Sequence, residues 1–289
     1  MSSVPVVSTP FSREKLLQVA RTLPADLQVL SRLGEMLQDV NSELDEIAGL
    51  LRRDIALAAR IVRISNSPMF GGGGQIASTE EAVNRVGFSE ILKLVGTATA
   101  ARFSDHALEY YGVSAQALRD NMLYVALAAE ALARTAGMDT RVAYTSGLLR
   151  MLGQMVLDRA CRGQLHATQR YAAGRWPSFS AWEGTIFGIN SYEVTALILD
   201  EWRFPPELGV AIRAHYLTRS TDWDRPLAVL LNVANGMAHR VNRSCAGEAS
   251  WWEITPEKLR VAGLSEDDIE SAMTAAEQAF DAATAALAA

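Results

Sequence analysis

The chain has 289 residues, of which 49% are hydrophobic and 21% are charged, and its formal net charge at pH 7 is −6. This balance is typical of a globular protein, and the net negative charge gives no electrostatic reason to expect DNA binding. No apolar stretch approaches the ~20 residues that cross a bilayer, and the N-terminus lacks the pattern of a secretory signal. We therefore expect a cytoplasmic protein without membrane insertion, in which Cys161 and Cys245 are reduced thiols.

Residues 1–11 are expected to form a flexible N-terminal arm, followed by one all-α domain over 12–289. Helix start signals then follow one another along the chain, each a Ser or Asp that can cap a helix, mostly with an acid three residues later. These signals are Ser42 with Asp45, Asp54, Ser78 with Glu81, Ser180 with Glu183, and Ser265 with Asp268. Gly137 is typical of a helix C-cap, and Pro205 and Pro206 are typical of a helix start. About a dozen helices and no convincing strand indicate an all-α protein.

Two apolar segments are of particular interest. Residues 147–158 read GLLRMLGQMVLD, with apolar residues at the spacing of a buried helix face and Arg150 in their midst. The Ala-rich segment 265–289 predicts an amphipathic terminal helix, which either closes the core or pairs with another subunit.

Several patterns that suggest ligand binding or catalysis are better explained by a structural role of their residues. The stretch FGGGGQIASTEEA lacks the Lys of a phosphate-binding loop, and Glu80 and Glu81 occupy the first helical turn where an anion would bind. The chain has no nucleophile elbow, no Cys-His pair at a same-face helical spacing and no zinc-binding spacing. His215 and His239 lie on separate predicted helices, where a lone histidine is more often structural than a ligand.

Polar residues fall where helical periodicity predicts burial. Asn121 lies on an apolar face, and Asn232, Asn235 and His239 form a polar stripe beside another. Each buried amide needs hydrogen-bond partners, because an unsatisfied one costs about 1–3 kcal/mol. For Arg150, with Ser146, Gln154 and Asp158 on the same side, the pattern leaves open whether the side faces solvent or the interior.

Four arginines, Arg52, Arg53, Arg60 and Arg63, form a basic group on two adjacent predicted helices. Such a group is usually a solvated face with acids nearby. The alternative is a docking patch for an acidic partner or a cyclic nucleotide.

The chain resembles the HDOD family, the signalling offshoot of the HD-domain phosphohydrolases. The likeness runs from Leu23 to about residue 242 and is strongest in LPADLQVLSRLGEMLQD, LDEIAGLLRRDIALAARIVRISNSPMFGG and IASTEEAVNRVGFSEILKLV. It implies an all-α fold in which an N-terminal helical layer (12–105) packs on a bundle like that of HD phosphohydrolases (106–289).

The resemblance also indicates what the bundle has lost. The His-Asp pair of HD phosphohydrolases falls at Arg150-Met151, and other family metal-binding positions fall at Asn121, Ser191 and Asn235. Only His215 matches a histidine often found in this region. Asn and Met are poor ligands for a hydrolytic divalent metal and Arg repels it, so we expect no catalytic residue, no metal and no cofactor.

Three functions remain in view. The first is a non-catalytic signalling module that binds a signalling protein partner. The second is a sensor that binds a cyclic dinucleotide without cleaving it, using a vestigial site of Asn121, Arg150, Gln154, His215 and Asn235 or the basic group. The third is a metal-dependent phosphohydrolase with an unusual site.

Overall fold

The protein is described by a computed structural model over residues 11–23, 26–36, 44–52, 55–66, 75–102, 107–166 and 169–288. Within these ranges the structure is all-α, as predicted, and its only bridge between extended residues is an isolated pairing of Leu108 with Val113. The α-helices in chain order are α1 Arg13–Ala20, α2 Asp26–Met36, α3 Leu44–Leu51, α4 Ile55–Ser65, α5 Thr79–Arg102, α6 Ala115–Ala136, α7 Thr140–Leu149, α8 Leu152–Ala160, α9 Phe179–Ile186, α10 Ser191–Glu201, α11 Pro206–Ala214, α12 Pro226–Arg240, α13 Pro256–Ala262 and α14 Glu266–Ala288. Two 3-10 helices, Ser220–Asp222 and Ala246–Trp251, follow α11 and α12.

The N-terminal layer is built on α5, against which α2, α3 and α4 pack. This long helix bends at Gly87, whose φ of 79° and ψ of 171° suit a residue without a side chain. Phe11, assigned by the sequence to the flexible arm, packs its ring 5.9 Å from that of Phe187. The rest of the predicted arm and the boundary between residues 105 and 106 lie outside the described residues.

The bundle is organised around α6, which packs against α7, α12 and α14. The terminal helix α14 closes the core, because Ile269, Ala272, Ala276 and Phe280 are all buried. Most buried apolar residues of the layer and the bundle form one continuous core, and Ala211, Ala214 and Ala228 form a small separate cluster. None of the described helices has the length and apolar character that crossing a membrane requires.

Four of the five predicted boundary signals that fall within the described residues are confirmed. Ser265 and Asp268 form a reciprocal capping box, Ser78 caps the N–H of Glu81, and Gly137 ends α6 with a φ of 68°. Pro206 begins α11.

The prediction of a helix start at Ser180 with Glu183 was wrong. The hydroxyl of Ser178 caps α9 by accepting the N–H of Ala181, two residues earlier than expected. Glu183 is instead buried within the bundle. The start signals at Ser42 and Asp54 lie outside the described residues.

Candidate functional site

The segment 147–158 is two helices rather than one. The helix α7 ends at Leu149, α8 begins at Leu152, and Arg150-Met151 lie at the break. Glycines hold both helices close to their neighbours: a β-carbon at Gly147 would lie 2.7 Å from the Cα of Ala126, and one at Gly153 would clash with the carbonyl oxygen of Ser191. These close approaches bring the Arg150 side chain into the centre of the bundle.

Arg150 forms a buried ion pair with Glu248. Its two terminal nitrogens donate to the two carboxylate oxygens of Glu248 at 3.2 and 3.0 Å, and each side chain is only 1% exposed. A planar guanidinium matches a carboxylate in this two-point geometry. The Arg150 side chain therefore faces the interior, a point that the sequence pattern left open.

Further polar side chains complete a cluster around this pair. Arg150 also donates to the side-chain oxygen of Asn121 at 2.6 Å, and the Asn121 amide in turn donates to the Arg243 carbonyl at 2.7 Å. Gln154 donates to Glu248 at 3.1 Å, and the hydroxyl of Tyr216 donates to the same carboxylate oxygen. Four separate regions of the chain thus meet around the buried Arg150–Glu248 ion pair. We refer to Asn121, Arg150, Gln154, Tyr216 and Glu248 as the central cluster.

The electrostatics of the central cluster favour the ionised pair. Burial opposes ionisation of Glu248, but the attraction and hydrogen bonds of Arg150 outweigh it and lower the pKa of this carboxyl. Burial likewise works against the charge of Arg150, yet the neighbouring Glu248 raises the pKa of the guanidinium. The lowered pKa of Glu248 and the raised pKa of Arg150 both favour the charged forms, so Arg150 carries its positive charge in the interior.

An aromatic wall lies beside the central cluster. Arg150 lies 5.7 Å from the ring centre of Trp252, and the rings of Tyr216 and His215 stack against the same Trp at 5.2 and 5.7 Å. Burial, followed by repulsion from Arg150, lowers the pKa of His215 to about 4. The imidazole is therefore neutral at physiological pH, and its Nδ1 is 2.6 Å from the Ile212 carbonyl.

The residues present are not suited to bind the divalent metal ion that is found in HD phosphohydrolases. Among the described residues, no three His, Cys, Asp or Glu side chains are grouped so that they could hold an ion. A divalent ion placed 4 Å from the Arg150 guanidinium would be repelled by about 8 kcal/mol at an effective dielectric of 20. The carboxylate of Glu248, the one strong oxygen donor of the cluster, is already neutralised by Arg150.

The structure separates the predicted vestigial-site residues into two groups. Asn121, Arg150 and Gln154 meet in the central cluster, and His215 lies beside it against Trp252. Asn235 is fully buried, but its amide donates to the Leu231 carbonyl of its own helix.

Sequence reasoning missed three members of this region: Tyr216, Glu248 and Trp252. Glu248 lies in a 3-10 helix whose residues show no helical periodicity, so nothing in the sequence pointed to its burial. A buried Arg150 requires an acid nearby, but the sequence cannot say which one.

The four-arginine group lies on the N-terminal layer. Arg52 forms an ion pair with Glu80 of α5, so an acid of this chain compensates its charge. Arg63 is exposed near the end of α4. Arg53 and the side chain of Arg60 lie outside the described residues, so convergence of the four stays a prediction.

A second buried carboxylate, also missed, connects α9 to α10. Glu183 accepts the Tyr111 hydroxyl at 2.7 Å and the Ser191 N–H at 2.8 Å. Burial raises its pKa to about 7, although both hydrogen bonds oppose the rise. Ser191, one of the lost family positions, therefore donates a backbone N–H to this carboxylate.

The class of protein to which this all-α fold and central cluster belong is identified by comparison with known proteins. The family model for the HDOD domain matches residues 23–218, and the chain belongs to this family. An uncharacterized protein of Treponema pallidum (strain Nichols) is 26% identical over 220 residues, which are 74% of this chain and 41% of that protein. The chain thus spans about two fifths of the length of this relative.

Solved structures share the fold. An HDOD domain protein of unknown function from Geobacter sulfurreducens has a TM-score of 0.66 at 20% identity, over 95% of this chain and 98% of that one. A candidate signal transduction protein from Marinobacter aquaeolei VT8 has a TM-score of 0.65 at 18% identity, over 94% and 64% of the two chains. A candidate phosphohydrolase from Shewanella amazonensis SB2B has a TM-score of 0.64 at 21% identity, over 93% and 96%. At these identities the likeness establishes the fold alone.

Proposed function

We propose that this HDOD protein is a non-catalytic signal-transduction module that acts by binding a protein partner. The observation that carries the proposal is the Arg150–Glu248 ion pair, which occupies the centre of the bundle with each side chain 1% exposed. Its Arg150 occupies a position at which the HD resemblance implies a metal-binding residue. The name of the Marinobacter neighbour agrees with this role.

The donor chemistry supports recognition over hydrolysis. Activation of water by a metal needs an ion held by imidazoles and carboxylates with an open coordination position. Here Arg150 neutralises the carboxylate, and His215 is engaged with the Ile212 carbonyl and stacked on Trp252.

The proposal is tested by metal analysis and turnover on one preparation. Protein purified without chelators is analysed by plasma mass spectrometry for Mn, Fe and Zn, then assayed with cyclic dinucleotides and an activated phosphodiester. We expect far less than one equivalent of metal and no turnover. One or two equivalents of bound metal, with turnover abolished in His215→Ala, would overturn the proposal in favour of a hydrolase.

A cyclic-dinucleotide sensor is the second candidate, and the exposed position of Arg63 favours it. Calorimetric titration with cyclic dinucleotides distinguishes it from partner binding. Heat that disappears in Arg63→Ala would identify a nucleotide site on the N-terminal layer. Heat that disappears only in Arg150→Ala would mean that the ligand displaces Glu248 from the ion pair.

A further inference from the structure

A cavity of about 270 Å³ opens between α10 and α11, away from the central cluster. Its lining includes the apolar residues Ala196 and Leu199 of α10 and Phe204 of the connection to α11, all of which are buried as residues. Pockets that enclose drug-sized ligands usually measure about 300–1,000 Å³. The cavity therefore suits one large side chain better than a cyclic dinucleotide.

The cavity lies at the junction of the N-terminal layer and the bundle. Contacts with neighbouring helices hold its walls in place. The Phe204 ring packs directly on Gly34 of α2, where a β-carbon would clash with it. Glu201, at the end of α10, forms ion pairs with Arg13 and Arg21 near the two ends of α1. Pro205, with its fixed φ, forms part of the lining. A preformed cavity of this kind loses little conformational freedom when it is filled.

The two charged residues that line the cavity differ in their pairing. Arg213 forms an ion pair with Glu193 at 3.2 Å, so its charge is compensated within the chain. Asp200 is exposed and has no ion pair among the residues that the structure describes. Asp200 is therefore the charged lining residue that is open to pairing with an incoming cation.

We propose that this cavity is a docking site for a protein segment that carries a large apolar side chain next to a Lys or Arg. The apolar side chain fills the cavity, and the cation pairs with Asp200. A pocket filled by one buried anchor is the usual energetic centre of a protein interface. The inference rests on the proposed function and specifies the chemistry of the partner.

The test uses defined peptides and the full chain. Acetylated, amidated tetrapeptides Ala-Phe-Lys-Ala, Ala-Phe-Glu-Ala and Ala-Ala-Lys-Ala are titrated while the methyl NMR signals of Ala196, Leu199 and Val210 are followed. We expect the Phe-Lys peptide to shift these signals. It should bind roughly fivefold more tightly than the Phe-Glu peptide, the scale of one exposed charge contact. The peptide without Phe should leave the signals unmoved.

Two variants check the assignment. Asp200→Asn, at an exposed position, should remove most of the preference for Lys over Glu, whereas Glu266→Gln on the distant helix α14 should leave it unchanged. The proposal is overturned by equal binding of the Lys and Glu peptides, by shifts mapping elsewhere, or by no shift with any peptide. Metal content and turnover are read separately, so failure here leaves the proposed function standing.

Discussion

At the scale of single residues, the Arg150–Glu248 pair decides the character of the bundle interior. Removing one member of a buried pair leaves an uncompensated charge, which typically costs about 3–5 kcal/mol. Replacing both members can be far less costly, because no charge then remains. The pair therefore offers a direct test of whether the central cluster exists as described.

Arg150→Met should lower the free energy of unfolding by about 3–5 kcal/mol, because Glu248 loses its only cationic partner in the cluster. The double variant Arg150→Met/Glu248→Gln should recover a large part of this loss, since Gln can still hydrogen-bond Tyr216 and Gln154. Urea unfolding measures both, with Arg63→Met as the exposed control. A double variant no more stable than Arg150→Met would contradict the assigned pairing.

Glu183 makes stability depend on pH. Its folded pKa of about 7 lies above the ordinary 4.5, so between these values the folded protein binds a proton that the unfolded chain lacks. The contribution of protonated Glu183 to the stability of the folded protein is fully present below about pH 4.5 and is lost as the pH rises through 7. The free energy of unfolding, measured between pH 5 and 8, should depend less on pH in Glu183→Gln than in the parent. The exposed control Glu257→Gln should retain the parent's slope, and an unchanged slope in Glu183→Gln would refute the assignment.

At the scale of elements, close packing of helix backbones positions the central cluster. The helix α8 approaches the start of α10 so closely that Gly153 has no room for a β-carbon beside the Ser191 carbonyl. The hydroxyl of Thr195 accepts the Gly153 N–H at 2.8 Å and lies within hydrogen-bond distance of the Ser191 and Arg150 carbonyls, at 3.1 and 3.2 Å. The break between α7 and α8 is thus tied to α10.

Gly153→Ala should destabilise the protein by about 2–3 kcal/mol, because α8 and α10 must separate to admit the methyl group. Gly174→Ala is the matched control, since a β-carbon there meets nothing within 4 Å. Thermal unfolding of the two variants gives the comparison. Equal melting temperatures would show that α8 and α10 are not in close contact at this point.

At the scale of the whole molecule, α14 closes the core against α6. A chain ending at Ser265 loses the buried side chains of Ile269 and Phe280 and should lose about 4 kcal/mol or more of stability. A chain ending at Ala285 retains both residues and serves as the control. Near-ultraviolet circular dichroism and dye binding should show a loosened core only in the shorter chain. A native core in that chain would contradict the role given to α14.

The sequence by itself determined the all-α class, the family, and four of the five helix-boundary signals that fall within the described residues. These features are local: capping residues, Gly137, Pro206 and apolar periodicity each act within a few residues of the chain. The sequence also placed Asn121 on an apolar face but left open whether Arg150 and Gln154 face solvent or the interior, and the structure brings all three together in one cluster.

Only the tertiary structure decided what these residues contact. Glu248 lies 98 positions from Arg150 along the chain, in a segment without periodicity, so no local pattern could pair them. The burial of Glu183 and the cavity between α10 and α11 likewise depend on how helices pack across long separations. Sequence patterns report which face of a helix is buried, whereas the partner of a buried charge is set by the fold of the whole chain.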